Sequence, residues 1–152
     1  MAITVTTAMP TSFKVEILKA VHNFTASTGN TFKLALMKAT AAGSGTYGAA
    51  TTSYDNLSTD ELANGNGYTT GGNTLVSITP VADGTTAVCD FDNTTWSGAT
   101  FTTCGGIIYN DTASGNPACA ILSFGGDQSV SSGDFQIQFP SPAAATAIIR
   151  IA

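Results

Sequence analysis

Two closely spaced carboxylates are the first residues that could do chemistry. Asp90 and Asp92 lie two residues apart, and Asn93 follows directly. Side-chain oxygens at this spacing could reach one hard cation such as Ca²⁺. The spacing matches no complete calcium loop, however, and Asp-Asn pairs are ordinary turn formers. We therefore expect turn chemistry here, with a bound cation as the alternative, and we predict no cofactor.

The single histidine limits nucleophilic catalysis. A serine or cysteine nucleophile would need His22 as its base, and no serine lies in a GxSxG elbow. His22 falls on the polar side of a predicted helix with no second ligand near it, so we expect a solvated surface residue. The chain also has no P-loop and no GxGxxG motif after a strand. The sequence therefore predicts no enzyme and no small-molecule substrate.

The cysteines indicate core residues. Cys89, Cys104 and Cys119 are odd in number and lack the CxxC pairing of zinc sites. Cys89 shares a predicted strand face with Phe91, and Cys119 lies in an apolar run, so we interpret both as buried, unpaired thiols. No segment has the pattern of an export signal, and no apolar run approaches the ~20 residues of a membrane helix. We expect synthesis in a reducing cytoplasm and no membrane partner.

Charge is sparse and unevenly distributed. Only 10% of the residues are charged, against roughly 25% in an average soluble domain. The net charge is −5, which disfavours a nucleic-acid partner, because phosphate binding depends on clustered Lys and Arg. Four of the five basic residues lie in the first quarter of the chain: Lys14, Lys19, Lys33 and Lys38. This asymmetry could orient the domain on a charged partner.

The N-terminal part predicts an arm followed by one helix. Residues 1–11 are threonine-rich and β-prone, so we expect an extended arm or an edge strand. Thr11 and Ser12 offer hydroxyl groups to cap a helix that runs to about Phe24. Apolar residues at helical spacing form one stripe that should face a sheet: Phe13, Ile17, Ala20, Val21 and Phe24.

The next two segments differ sharply in regularity. Thr31–Lys38 alternates as a strand, with Phe32, Leu34 and Leu36 inward and Lys33, Ala35 and Met37 facing away. Residues 39–72 are rich in small residues and contain three tyrosines, Tyr47, Tyr54 and Tyr68. A segment this long without regular pattern is usually functional or ordered by a partner. We therefore expect a long surface excursion that contacts neighbours, with a purely decorative loop as the alternative.

Further β-prone runs, separated by Gly, Asn, Asp and Pro, predict an antiparallel meander and its flanking strands. Pro80 should end the first run, and Gly125–Asp127 should close the meander. Trp96 is the expected large core residue, and Phe135 and Ile137 should point inward. The runs are Leu75–Thr79, Thr86–Phe91, Gly106–Tyr109, Ala118–Phe124, Asp134–Phe139 and Thr146–Ile151.

Together these elements predict one mainly β domain over residues 1–152. About eight short strands with one N-terminal amphipathic helix favour an antiparallel β-sandwich or a Greek-key or jelly-roll-like barrel. No internal repeat interrupts this pattern.

Several segments, taken in order, resemble a family of small tailed-bacteriophage virion structural proteins. They cover most of the chain, and residues 39–66 match least. The segments are SFKVEILKAVHNF (Ser12–Phe24), NTFKLALM (Asn30–Met37), GYTTGGNTL (Gly67–Leu75), DFDNTTWSGATFTTCGGIIYND (Asp90–Asp111), LSFGGDQSVSSGDFQIQFP (Leu122–Pro140) and the ending AIIRIA.

The resemblance implies a non-enzymatic particle component, most simply a capsid decoration (cement) protein on the capsid surface. Such proteins are small β-rich domains, often trimeric, that straddle joints between major capsid subunits. The implied partners are the major capsid protein and further copies of this chain. Exposed β edges at Met1–Val5 or Thr146–Ile151 could add strands across subunits. The residues expected to make contacts are Met1, Ile3, Val5, Tyr47, Tyr54 and Tyr68.

Two other functions stay open. In a tail or fibre component, residues 39–72 would form a host-contact surface. In a carbohydrate-binding β-sandwich module, Tyr47, Tyr54 and Tyr68 would have to form an exposed aromatic platform.

Overall fold

Nine strands make this protein mainly β, as the sequence predicts. The computed structural model describes all 152 residues. Helix α1 spans Thr11–Leu18, and two short 3₁₀ segments span Thr40–Ala42 and Tyr54–Asp60. The strands are β1 (Thr4–Val5), β2 (Phe32–Lys38), β3 (Thr46–Tyr47), β4 (Asn73–Leu75), β5 (Ser77–Asp83), β6 (Thr86–Phe91), β7 (Thr94–Asn110), β8 (Ala118–Ile137) and β9 (Ile149–Ile151).

The strands form three sheets. A four-stranded antiparallel sheet has the order β4-β2-β7-β8, and a three-stranded antiparallel sheet has the order β5-β6-β9. The short strands β1 and β3 pair in parallel. Because every sheet ends in edge strands, the arrangement is consistent with the predicted sandwich rather than with a closed barrel.

Strand β2 is buried on both faces. Phe32, Leu34 and Leu36 belong to a first core cluster that also contains Phe13, Phe24, Phe91, Trp96 and Ile108. Ala35 and Met37 were expected to face away from the core, yet neither has any exposed surface. They belong to a second core cluster on the opposite face, with Ile3, Tyr47, Leu57, Cys104, Ile107, Tyr109, Ala118 and Ile121. The sheet therefore needs cover on both sides.

Strands β7 and β8 form one long hairpin where the sequence predicts several shorter strands. Gly125 and Gly126 take positive φ angles of 75° and 139°. The register shifts between Thr103 and Gly105, whose partners on β8 are Gln128 and Ser123. The extra residues of β8 form a bulge, and the strand continues through Gly125–Asp127. The prediction that these residues close the meander is therefore wrong. Beyond the bulge, Phe135 and Ile137 alternate with exposed residues, as predicted.

Strand β5 also runs further than expected, because Pro80 lies inside it. β5 is an edge strand, and its register with β6 shifts between Ile78 and Val81. A proline fits such a position because no ladder partner requires its missing N–H group. The predicted stop at Pro80 is therefore wrong.

Helix α1 ends earlier than the sequence predicts. Its N-cap is Pro10, and no side-chain hydroxyl caps it. At the C-terminal end Ala20 takes a left-handed conformation with φ 56°. The Ala20 N–H group donates to the Ile17 oxygen, and the Val21 N–H group donates to the Glu16 oxygen, at 3.0 Å each. These are the two bonds of a Schellman motif, which stops the helix well before Phe24.

The two chain ends are both tied to strands. In the N-terminal segment, β1 pairs with β3, and Ala8 exchanges two backbone hydrogen bonds with Ile121 of β8. At the other end the predicted strand over Thr146–Ile151 is shorter, at Ile149–Ile151, and pairs with β6. Residues 1–11 thus contain the predicted edge strand, although it is only two residues long.

Candidate functional site

A buried polar cluster lies where the chain after α1 turns back onto the four-stranded sheet. The left-handed turn at Ala20 reverses the chain and carries His22 into the interior, where its side chain has no exposed surface. His22 Nε2 lies 2.9 Å from Glu16 Oε2, and His22 Nδ1 lies 3.1 Å from Asn110 Nδ2. The expectation of a solvated surface histidine is wrong, because it depended on a helix that continued to Phe24.

The hydrogen bonds of Asn110 fix the roles of the ring nitrogens. Asn110 Oδ1 accepts from the backbone N–H groups two and three residues further on, at 3.0 and 3.1 Å. Its Nδ2 group therefore donates, to Asn30 Oδ1 at 2.9 Å and to His22 Nδ1. Since Nδ1 accepts, the proton of the neutral ring lies on Nε2 and is donated to Glu16.

The same cluster brings a thiol next to the imidazole. Cys119 Sγ lies 3.8 Å from His22 Nδ1, although the two residues are 97 positions apart. Carboxylate, imidazole and thiol thus follow the order of a nucleophilic triad. Cys119 has no exposed surface, and burial raises the pKa of its thiol well above 9.0. The thiol therefore stays protonated and out of reach of a substrate, and the cluster serves to tie α1 to the sheet.

The other thiols are buried as well. Cys89 and Cys104 are free, and so is Cys119, so the predicted unpaired core thiols at Cys89 and Cys119 are confirmed. Burial raises the pKa of Cys89 to about 12 and raises that of Cys104 above 9.0. Neutral thiols in such positions pack as small hydrophobic side chains.

Asp90 and Asp92, the two carboxylates considered for a shared cation, differ in burial. Asp90 lies inside β6 and is fully buried, whereas Asp92 is exposed after the strand ends. Asp90 accepts from the Phe91 N–H group at 2.9 Å and from the Ile148 N–H group at 3.3 Å. No group of three His, Cys, Asp or Glu side chains is placed to hold a metal ion. The predicted turn role is wrong for Asp90, which instead anchors the segment before β9.

Hydrogen bonds to two adjacent acidic side chains, Asp60 and Glu61, fix residues 39–72 in place. Glu61 accepts from the Tyr54 hydroxyl at 2.6 Å, from the Tyr68 hydroxyl at 2.7 Å and from the Gly71 N–H group at 2.6 Å. The Tyr68 oxygen in turn accepts from the Leu36 N–H group of β2 at 3.0 Å. Burial raises the pKa of both phenols, and their hydrogen bonds to Glu61 raise it further. Both tyrosines are therefore neutral donors.

Asp60 accepts the hydrogen bonds that hold the first half of residues 39–72 in place. It is buried, and it accepts from the Gly45 N–H group at 2.7 Å and from the Tyr47 hydroxyl at 2.9 Å. Tyr47 and Leu57 are then placed in the second core cluster. Residues 39–72 therefore have an inner side that packs on the sheet, while many of their other side chains are exposed as the sequence predicts.

This packing determines which of the six residues predicted to make contacts are accessible to a partner. Tyr47 is 4% exposed, Tyr68 is 3% exposed and Ile3 is 4% exposed, so these three face the interior of the chain. Tyr54 is half-buried and stacks on Tyr109, with ring centroids 4.5 Å apart. Val5 is half-buried against the second core cluster, and only Met1 is fully exposed.

An apolar groove of about 140 Å³ separates α1 from the three-stranded sheet. Seven of its nine lining residues are hydrophobic, including Ile17, Phe24 and Ile149. Small-molecule sites combine an apolar lining with several convergent polar groups that orient the ligand. This groove offers few such groups, so it lacks the chemistry of a specific small-molecule site.

The exposed side of α1 is the surface that sequence reasoning missed. Leu18 is 88% exposed and Val15 is 46% exposed, and the exposed side chains of Lys14 and Lys19 flank them. We call these four residues the α1 face. The predicted apolar stripe of α1 includes neither Val15 nor Leu18. The sequence pattern therefore gives no signal that these two residues form an exposed apolar surface.

Comparisons of this chain with protein-family models, with curated proteins and with solved structures find no match. None of its helices combines the length and the apolar character that a membrane crossing requires. Function must therefore be inferred from the surface of the fold and from the sequence itself.

The hydrogen bonds of Glu61 predict a strong effect of truncation. Glu61→Ala removes the acceptor of two phenols and one N–H group, so we expect a loss of about 3 kcal/mol in the free energy of unfolding. Glu61→Gln should lose less, because an amide oxygen still accepts and its NH₂ group can donate to Tyr54. Urea unfolding measures both, with the exposed Asp55→Ala as the control. Equal losses for the Ala and Gln variants would contradict this role.

The burial of Asp90 predicts a pH dependence of stability. Burial raises the pKa of the Asp90 carboxyl above its ordinary 3.8, and the N–H bonds from Phe91 and Ile148 offset only part of this rise. The stability gained from the protonated form is fully present below pH 3.8 and is lost as the pH rises through the raised pKa. Wild type should therefore lose stability relative to Asp90→Asn between about pH 3 and about pH 7.

Denaturant unfolding of the Asp90→Asn variant at both pH values measures this difference directly. Asp92→Asn, at the exposed neighbouring carboxylate, is the matched control and should keep the pH slope of wild type. A stability difference between wild type and Asp90→Asn that is the same at both pH values would show that Asp90 is not penalised by burial.

Proposed function

We propose that this chain is a structural component of a tailed-phage particle, and that it acts as a capsid decoration (cement) protein bound to the shell of the major capsid protein. The observation that carries the proposal is the α1 face, where large apolar side chains stay exposed on a chain with only 10% charged residues. Covering such a surface with a neighbouring subunit of the particle, whether capsid protein or another copy of this chain, releases water from apolar area and is favourable.

The fold supports this role in a second way. Strands β5 and β9 are the edges of the three-stranded sheet, and Val81 and Ile151 on these strands are more than half exposed. An exposed edge strand can pair with a strand of a neighbouring subunit. Edges of this kind suit a module that joins subunits, and the β9 edge lies within the segment where the sequence predicts such pairing.

The mechanism follows from mass action. A protein that binds only the expanded shell stabilises that shell by its binding free energy, about 2.7 kcal/mol per site at a free concentration of 100 Kd. The effect is multiplied over the many equivalent sites of a capsid. No chemistry at a catalytic centre is required.

The other two candidate functions receive less support. A carbohydrate-binding platform would need exposed tyrosines, and Tyr47 and Tyr68 are buried while Tyr54 is stacked on Tyr109. A tail or fibre role would use residues 39–72 as a host-contact surface, but the core holds the large side chains Tyr47, Leu57 and Tyr68, and none of the exposed large hydrophobic residues of the chain lies in this segment. Neither function has a specific observation in its favour.

The proposal predicts a change in particle stability. Particles that lack this protein should release their DNA at a lower temperature than complete particles, since the shell loses the binding free energy of every copy. A dye that reports released DNA measures the transition during heating. Adding the purified chain back to depleted particles should restore the higher temperature. Equal heat resistance of depleted and complete particles would count against a cement role.

Labelled antibody on intact particles separates the head from the tail. Decoration of all head faces is the expected result. Label at one pole only would overturn the cement role in favour of a tail component, and absence of label from purified particles would overturn both.

A further inference from the structure

The lysines of the α1 face are free, whereas the other two lysines are engaged. Lys33 Nζ lies 3.0 Å from Asp111 Oδ2, and Lys38 Nζ donates to the Thr59 oxygen at 2.6 Å. Lys14 and Lys19 form no ion pair and no side-chain hydrogen bond within the chain. The α1 face therefore combines exposed apolar area with unneutralised positive charge, in a chain whose net charge is −5.

A second exposed site has the opposite charge. Val76, between β4 and β5, is 60% exposed. Its oxygen accepts from the Asp92 N–H group at 2.9 Å, which holds these two residues side by side. The Asp92 side chain is exposed and takes part in no ion pair. We call Val76 and Asp92 the Val76 face.

We infer that the α1 face of one copy of this chain binds the Val76 face of a second copy. Each face presents an exposed branched apolar side chain beside free charge, and the signs of the charges are opposite. The contact pairs two different faces, so two copies can exchange it reciprocally in a twofold dimer or each copy can pass it on to a further neighbour. This contact does not depend on the phage assignment.

The two kinds of group contribute differently. Apolar contact between Leu18 and Val76 supplies most of the affinity, since exposed ion pairs add little net free energy. The charges of Lys14, Lys19 and Asp92 select the partner face, because like charges brought together oppose association. Association should therefore weaken at high salt without being abolished.

Charge reversal with sedimentation equilibrium tests the contact. Wild type should self-associate in a concentration-dependent way. Lys19→Glu and Asp92→Lys should each weaken association by about tenfold or more. The double variant, which keeps the wild-type net charge, should recover most of it, and so should an equimolar mixture of the two single variants. Recovery in both cases distinguishes a specific pairing from an effect of total charge.

Two controls accompany the reversals. Asp55→Lys changes an exposed acid elsewhere by the same charge as Asp92→Lys and should leave association unchanged. Leu18→Ser removes the apolar contact and should weaken association even though no charge changes. Circular dichroism and thermal unfolding confirm that each variant stays folded, as expected for exposed positions.

Three results would overturn the inference. The first is a wild-type chain that stays monomeric, so that the Kd for its self-association is weaker than about 1 mM. The second is self-association that neither single reversal affects, which would assign the contact to another surface and leave the α1 face for a different acidic partner. The third is a double variant no better than the single ones.

Discussion

Strand β2 has no solvent face, and this constraint determines how the rest of the chain is arranged. Its residues point alternately into two core clusters, and Leu34, Leu36, Ala35 and Met37 have no exposed surface at all. A half-buried sheet needs one covering layer, but a sheet with a strand like β2 needs two. Helix α1 and the three-stranded sheet pack with the first core cluster, which also contains Leu62 and Tyr68. Ile3, Tyr47 and Leu57 cover the second.

The second cover is made from a segment with little regular structure, so its polar groups must be satisfied in other ways. Asp60 and Glu61 do this from adjacent positions. Asp60 accepts from the Tyr47 hydroxyl and the Gly45 N–H group, and Glu61 accepts from two tyrosine hydroxyls and the Gly71 N–H group. A buried carboxylate is tolerated when donors surround it in this way. As a consequence Tyr47 and Tyr68 belong to the core, and the exposed large apolar side chains lie at Met1, on the α1 face, at Val76 and on the edges of the three-stranded sheet.

The sequence predicted what depends on local alternation and missed what depends on distant partners. Strand β6, the burial of Trp96, Cys89 and Cys119, and the alternation at Phe135 and Ile137 follow from residue type and period. The end of α1 was missed because Ala20 adopts a conformation that usually selects glycine. The His22 cluster joins Glu16 and His22 to Asn110 and Cys119, which are 88 and 97 positions from His22, so no local spacing signals it.

Residues 39–72 place Tyr47 and Leu57 in the second core cluster and Leu62 and Tyr68 in the first, so the segment is ordered by the chain itself and does not depend on a partner. Native-state hydrogen exchange of the isolated chain tests this most directly, at the Gly71 and Gly45 amides bonded to Glu61 and Asp60. The account predicts that these amides exchange nearly as slowly as those of β2, through global unfolding. Exchange at the rate of an unstructured peptide would contradict it.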